Sequence, residues 1–255
     1  MGVTTPDVHA AGEAPVFRLA YVPGVTPSKW VRIWAERRPD VSLELIALDV
    51  AVCAEAVGER RVDMAITRLP DALRSGDARE HHTIDLYEET TVVVVPKDHA
   101  LTAGDEMTLA DLTDEQLLWP LDEPLTVSER PGAAVDHRPE TTGDAVELVA
   151  AGVGVLLVPQ SLARLHHRKD LVYRPVTDAP TGSVGLLWPA PTTQLADEFI
   201  GIVRGRKATS SRGRTDEAPK RSAKEKAAAK RAAREAAGKV PGKSARRGPG
   251  RPKRR

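Results

Sequence analysis

Two hydrophobic periods alternate between residues 16 and 67, and this alternation constrains the fold more than any other feature of the 255-residue chain. Residues 16–22 (VFRLAYV) are a short strand candidate that ends at the turn pair Pro23-Gly24. Thr26-Pro27 then starts a helix, with Thr as N-cap and Pro at the first helical position. Trp30, Ile33 and Trp34 recur at i, i+3, i+4, which places them on one helical face, and Pro39 stops the helix. Residues 41–48 alternate apolar and polar with period two before turning fully apolar, as a strand entering a covered sheet does. Asp49 caps a second helix with Val50, Cys53, Ala54 and Val57 on one face, and residues 62–67 (VDMAIT) form a third strand. Strand-helix-strand-helix-strand with short connections predicts a parallel sheet with helices on its faces.

The pattern continues less regularly. Residues 83–95 read as one long extended stretch ending in four consecutive valines and Pro96. A short helix over 108–114, a short strand over 116–119 and a proline-rich loop over 120–139 follow. Residues 142–151 form a capped amphipathic helix that Gly152 ends, then come a buried strand at 153–158 and a short helix at 160–165. A last strand at 184–188 leads into a closing helix at 194–203, with Leu195, Phe199, Ile202 and Val203 as its apolar stripe.

Composition enters because the charge is so unevenly placed. The chain carries 37 Lys+Arg against 36 Asp+Glu, yet residues 204–255 hold 20 basic and 4 acidic side chains, a net of +16, leaving 17 basic and 32 acidic, a net of −15, for residues 1–203. Residues 1–15 read as a disordered lead-in, 16–203 as the folded domain, and 204–255 as a disordered basic tail that meets a polyanion. Residues 246–255 (RRGPGRPKRR) resemble the AT-hook, in which glycine and proline keep a thin backbone so that an arginine, here Arg251, enters a narrow minor groove. Position 249 is proline where that motif has arginine, which leaves phosphate contacts by Arg246, Arg247, Lys253, Arg254 and Arg255 as the core of the expected DNA binding.

Several functions are disfavoured. A single cysteine, Cys53, excludes a disulfide framework and a multi-cysteine zinc site. The histidines are scattered, with no acidic partner at metal-ligand spacing, so no metal is expected. The sequence holds no Gly-x-Ser-x-Gly elbow, no P-loop and no Gly-x-Gly-x-x-Gly opening a helix, which leaves no catalytic residue to nominate and no cofactor. No apolar run reaches membrane-spanning length and the N-terminus shows no secretory pattern, so a cytoplasmic, nucleoid-associated protein without membrane contact is expected.

Order and spacing carry a family resemblance across residues 16–203. The opening RLAYVPG, the helix ending in Arg38-Pro39-Asp40-Val41, the segment VDMAIT, VVVVPKDHAL, and TTGDAVELVAAGVGVLLVPQSLA before the final LLWP strand together resemble the effector-binding domain of LysR-type transcriptional regulators. The resemblance implies the type 2 periplasmic-binding-protein fold: two α/β, Rossmann-like lobes joined by crossing strands, with a small-molecule cleft between them. Lobe one is expected at 16–95 and 184–203, lobe two at 96–183. The winged helix-turn-helix of that family is missing from the roughly 15 residues before the first strand, and residues 119–141 are shorter than the family pattern. Within the implied cleft, helix N-termini and strand ends attract anions, which nominates Thr26, Ser28, Thr67, Arg68, Thr141 and Thr142, with Trp119 as a flat apolar wall. The expected function is an effector-sensing, DNA-associated transcriptional regulator that binds a small anionic effector in the cleft and DNA through the tail, as a homodimer like the family. A nucleoid-associated structural protein with a vestigial cleft, and an enzyme on the same two-lobed fold, are the alternatives.

Overall fold

The computed structural model describes residues 15–125, 127 and 131–206. The lead-in to residue 14 and the tail from 207, with Arg246, Arg247, Arg251, Lys253, Arg254 and Arg255, lie outside the described residues. No described helix is long and apolar enough to cross a membrane.

The first three strands and two helices fall where the hydrophobic periods place them: β1 (Val16–Tyr21), α1 (Ser28–Arg37), β2 (Ser42–Ala47), α2 (Val50–Gly58) and β3 (Met64–Arg68). A short helix, α3 (Asp71–Arg74), leads to β4 (His81–Glu89) and β5 (Thr91–Pro96). Two 3-10 turns precede β6 (Gln116–Leu118), and β7 (Ala133–Ala134) is the only element described between β6 and α4 (Thr142–Ala150). The chain closes through β8 (Val155–Pro159), α5 (Gln160–Leu165), β9 (Leu171–Pro175), β10 (Gly182–Pro189) and α6 (Gln194–Val203).

Two five-stranded sheets result, in the orders β2-β1-β3-β10-β4 and β7-β6-β8-β5-β9. β1 pairs in parallel with β2 and β3, as the alternation predicts. β10 returns from the far end of the chain and joins β3 and β4 antiparallel, so this sheet is mixed; the second is mixed too, with β6 parallel to β7 and β8 and β5 antiparallel to β8 and β9. The single extended stretch expected over 83–95 is broken at Thr90: β4 belongs to the first sheet and β5 to the second. The crossing strand therefore changes lobe at Thr90, and the four valines expected in lobe one are core of lobe two. Periodicity could not reveal this, because an uninterrupted extended stretch reads the same whether one sheet or two hold it. The chain crosses back between β9, a strand absent from the sequence reading, and β10.

Each sheet is covered by the apolar faces the sequence supplies. Under α1 and α6, Phe17, Trp34 and Phe199 form an aromatic triad with ring centroids 4.7, 5.5 and 5.9 Å apart. Trp34 is buried and its indole N–H donates to the Val41 carbonyl at 3.0 Å, which satisfies the one polar atom the triad encloses. The second sheet has a core on each face. Val92, Val94, Leu156 and Val158 pack beneath α4 and α5, and Val93, Val95, Leu117 and Leu157 face the 3-10 turns with Leu112 and Trp119. Such two-sided burial explains why β5 and β8 read as unbroken apolar runs. Arg206, three residues past the expected end of the domain, folds back on α6, donating to the Asp197 carboxylate and backbone carbonyl at 3.1 Å each.

Candidate functional site

Between the lobes lies a cavity of about 340 Å³. The loop from β1 into α1 supplies Gly24, Val25 and Thr26, and the first turn of α1 supplies Trp30; the crossing strand supplies Tyr87, Glu88, Glu89 and Thr90; α5 of lobe two supplies Gln160, Ser161 and Arg164. The loop wall precedes the N-terminus of α1, where the helix dipole is positive. Gly24 takes φ +86°, a left-handed conformation that suits glycine. A Cβ there would meet Ser161 Oγ at 2.6 Å, so a side chain at this position would displace the Ser161 hydroxyl from Arg68.

Arg68 is the residue that joins the walls. It ends β3, its side chain is 5% exposed, and its donors reach three parts of the molecule. Nε donates to Glu89 Oε2 at 2.8 Å on the crossing strand, one Nη to the Pro23 carbonyl at 3.2 Å, and the other to Ser161 Oγ at 3.0 Å on lobe two. A buried guanidinium with a charged partner and two further acceptors is satisfied in the way burial demands. Burial, reinforced by the negative charge of Glu89, raises the Tyr87 hydroxyl above its ordinary value, so it remains a neutral donor at the cavity wall.

The predicted residues divide accordingly. Thr26 lines the cavity, although the helix starts one residue later than expected and Pro27, not Thr26, holds the N-cap position. Ser28 is the first residue of α1 and is exposed, outside the cavity lining. Arg68 stands beneath the cavity as part of its frame, its positive charge already taken by Glu89. Thr67 is not a cleft residue: strand alternation turns it the other way, fully buried, where its hydroxyl meets the Cys53 thiol of α2. Burial also pushes the Cys53 thiol up, so it is a core group. Trp119 is not an exposed wall either; it is 4% exposed within the core of the second lobe.

Thr141 and Thr142 are corrected for a different reason. Thr141 is the N-cap of α4, its hydroxyl accepting from the Asp144 N–H at 3.1 Å in a reciprocal capping box. Thr142 is buried, and both its N–H and its hydroxyl donate to the Asp122 carboxylate, at 3.0 Å each. The anion expected at this helix N-terminus is thus a side chain of the protein itself. The loop that carries Asp122 is held by Arg138, which donates to the carbonyls of Trp119 and Pro120 at 2.9 and 2.7 Å.

Sequence reasoning missed Glu88, Glu89, Gln160 and Ser161. The signal was present: Glu88-Glu89 interrupts an otherwise extended stretch three residues before the run of four valines, and Gln160-Ser161 follows another apolar strand. Polar residues at the ends of buried strands sit where α/β sheets bind ligands.

Two mixed sheets joined by two crossings, with a cavity where they meet, define a two-lobed α/β ligand-binding domain. Residues 10–208 match the LysR substrate binding domain family, and the chain belongs to that family. It is 34% identical over 157 residues to the HTH-type transcriptional regulator CatR of Pseudomonas putida, covering 56% of this chain and 52% of CatR. It is 25% identical over 210 residues to the Hca operon transcriptional activator HcaR of Escherichia coli (strain K12), covering 78% of this chain and 67% of HcaR. The chain thus spans from about half to two thirds of the length of these relatives, which are transcriptional regulators and not enzymes. Among solved structures, the BenM effector binding domain with its effector benzoate superposes with a TM-score of 0.63 at 20% identity, covering 80% of this chain and 99% of that one. The oxidised form of OxyR gives 0.62 at 20% identity, covering 76% of this chain and 96% of that one. At these identities the structural likeness carries the fold.

Proposed function

We propose that this chain senses a small carboxylate-bearing effector in the interlobe cavity and is a DNA-associated transcriptional regulator. The observation that carries the reading is the cavity itself: both lobes and the crossing strand build it, and Arg68 ties all three together. A ligand there contacts both lobes at once, so binding is coupled to their relative position. The carboxylate end is expected at the wall formed by Thr26, the start of α1 and Arg164, where the helix dipole and a guanidinium favour a negative group. Family membership and the regulator relatives support the same reading, and benzoate in BenM is an effector of the expected chemistry.

DNA contact is assigned to the basic tail. Arg246, Arg247, Arg251, Lys253, Arg254 and Arg255 neutralise phosphates without reading bases, which gives broad and salt-sensitive affinity. A homodimer would bring two tails to one duplex and raise avidity. The test replaces these six residues by glutamine in the full chain and measures duplex affinity against salt concentration. The expected result is weaker binding and a log–log salt slope shallower by about 5, close to one per lost phosphate contact; an unchanged slope refutes the tail assignment. For the cavity, Arg164→Ala is expected to weaken carboxylate binding, read by calorimetry, without changing the far-UV circular dichroism.

One observation favours a second reading. Asp122 fills the α4 N-terminus and Glu89 fills Arg68, so two of the expected anion sites are closed by the protein's own carboxylates. A structural, nucleoid-associated protein with a vestigial cleft has this pattern, and complete silence of the cavity toward small organic ligands, alongside intact DNA binding, would select it.

A further inference from the structure

We infer that the effector carries a hydrogen-bond-donating ammonium group beside its carboxylate, and so belongs to the amino acids or similar zwitterionic amino-carboxylates. This rests on the cavity being the effector site, as proposed above. Glu89 lines the cavity with its side chain only 4% exposed. Its Oε2 accepts from Arg68 at 2.8 Å, whereas its Oε1 is buried and has no hydrogen-bond partner among the described residues. A carboxylate oxygen can only accept, so what completes this wall is a donor.

The charges on the cavity walls point the same way. Arg68 is committed to Glu89, the Pro23 carbonyl and Ser161. Among the described lining residues the positive charge is that of Arg164, whose Nε donates to the Tyr173 hydroxyl at 3.3 Å. Glu88, exposed beside Glu89, adds a second carboxylate. Two glutamates and two arginines make a site without net charge but with opposite poles. A bare anion would leave Glu89 Oε1 unsatisfied and would lie close to two like charges. A zwitterion matches both poles, and the aromatic surfaces of Trp30 and Tyr87 suit an ammonium as well as an apolar side chain.

The experiment uses two matched triplets on the full chain, by titration calorimetry: phenylalanine, 3-phenylpropanoate and 2-phenylethylamine; leucine, 4-methylpentanoate and 3-methylbutan-1-amine. The expected result is that at least one amino acid binds and that its deaminated acid binds at least about tenfold more weakly, the worth of one charge-assisted hydrogen bond. Glu89→Gln is expected to remove that preference; should the variant not fold, the triplets on the unaltered chain decide. Acids that bind as well as or better than the amino acids overturn the inference and leave the cavity reading standing. No binding by any of the six overturns it as well. Thr26→Trp, which fills the cavity at an exposed lining position, separates the two readings: probes that bind this variant undiminished lie elsewhere, and then both readings fall.

Discussion

A single buried arginine shows how one side chain can hold a frame and still be misread from sequence. Arg68 follows an apolar strand, where a positive charge looks like a ligand anchor. In the fold, Glu89 arrives from 21 residues further along and takes the charge. Removing one member of a buried ion pair strands the other, which costs about 3–5 kcal/mol, whereas replacing both by apolar groups is much milder. Arg68→Ala is therefore expected to lower the urea-unfolding free energy by about that amount, while an Arg68→Met/Glu89→Leu double substitution recovers most of it. A double variant as unstable as the single one would show that the pair itself, and not the stranded carboxylate, carries the stability.

At the scale of elements, α4 illustrates a helix whose start was legible and whose chemistry was not. Thr141 and Asp144 have the spacing of a capping box, and the box forms. Asp122 could not be assigned to Thr142 from sequence, because the two stand 20 positions apart and only the folded path brings the carboxylate over. Thr141→Ala is expected to lower stability by about 1 kcal/mol through the lost cap. Asp122→Ala is expected to cost about 1–3 kcal/mol, since it leaves a buried hydroxyl and N–H unpaired. Thermal denaturation of both variants checks the order, with Asp122→Ala the lower in Tm.

For the whole molecule, the meeting of the lobes depends on very small side chains. Gly24 faces Ser161 so closely that a Cβ fits only if the Ser161 side chain shifts, and its positive φ adds a backbone cost of about 1–2 kcal/mol for any other residue. Gly24→Ala is expected to destabilise the protein by more than that backbone cost and to break the Arg68–Ser161 bond between the lobes. Adding Ser161→Ala should relieve part of the clash, so the double variant should be more stable than the sum of the two single effects predicts. Strict additivity in denaturant melts would mean that the lobes do not bear on each other at this point. Because the same contact borders the cavity, Gly24→Ala should also weaken any effector that spans both lobes.

The sequence by itself determined the local elements and the family: the two periods of hydrophobicity, the proline and glycine stops, the capped start of α4, and the segment order that the LysR substrate binding domain match bears out. These are set by interactions within a few residues, or by patterns long enough to survive as a whole. Only the tertiary structure decided where the chain changes lobe, which face Thr67 and Trp119 turn to, and which charges remain for a ligand. Those outcomes depend on strand pairing and on partners 20 to 93 residues apart, such as Asp122 with Thr142 and Arg68 with Ser161. A charged residue in sequence is a candidate for binding; in the fold it binds whatever opposite charge reaches it first, and here that is often the protein itself.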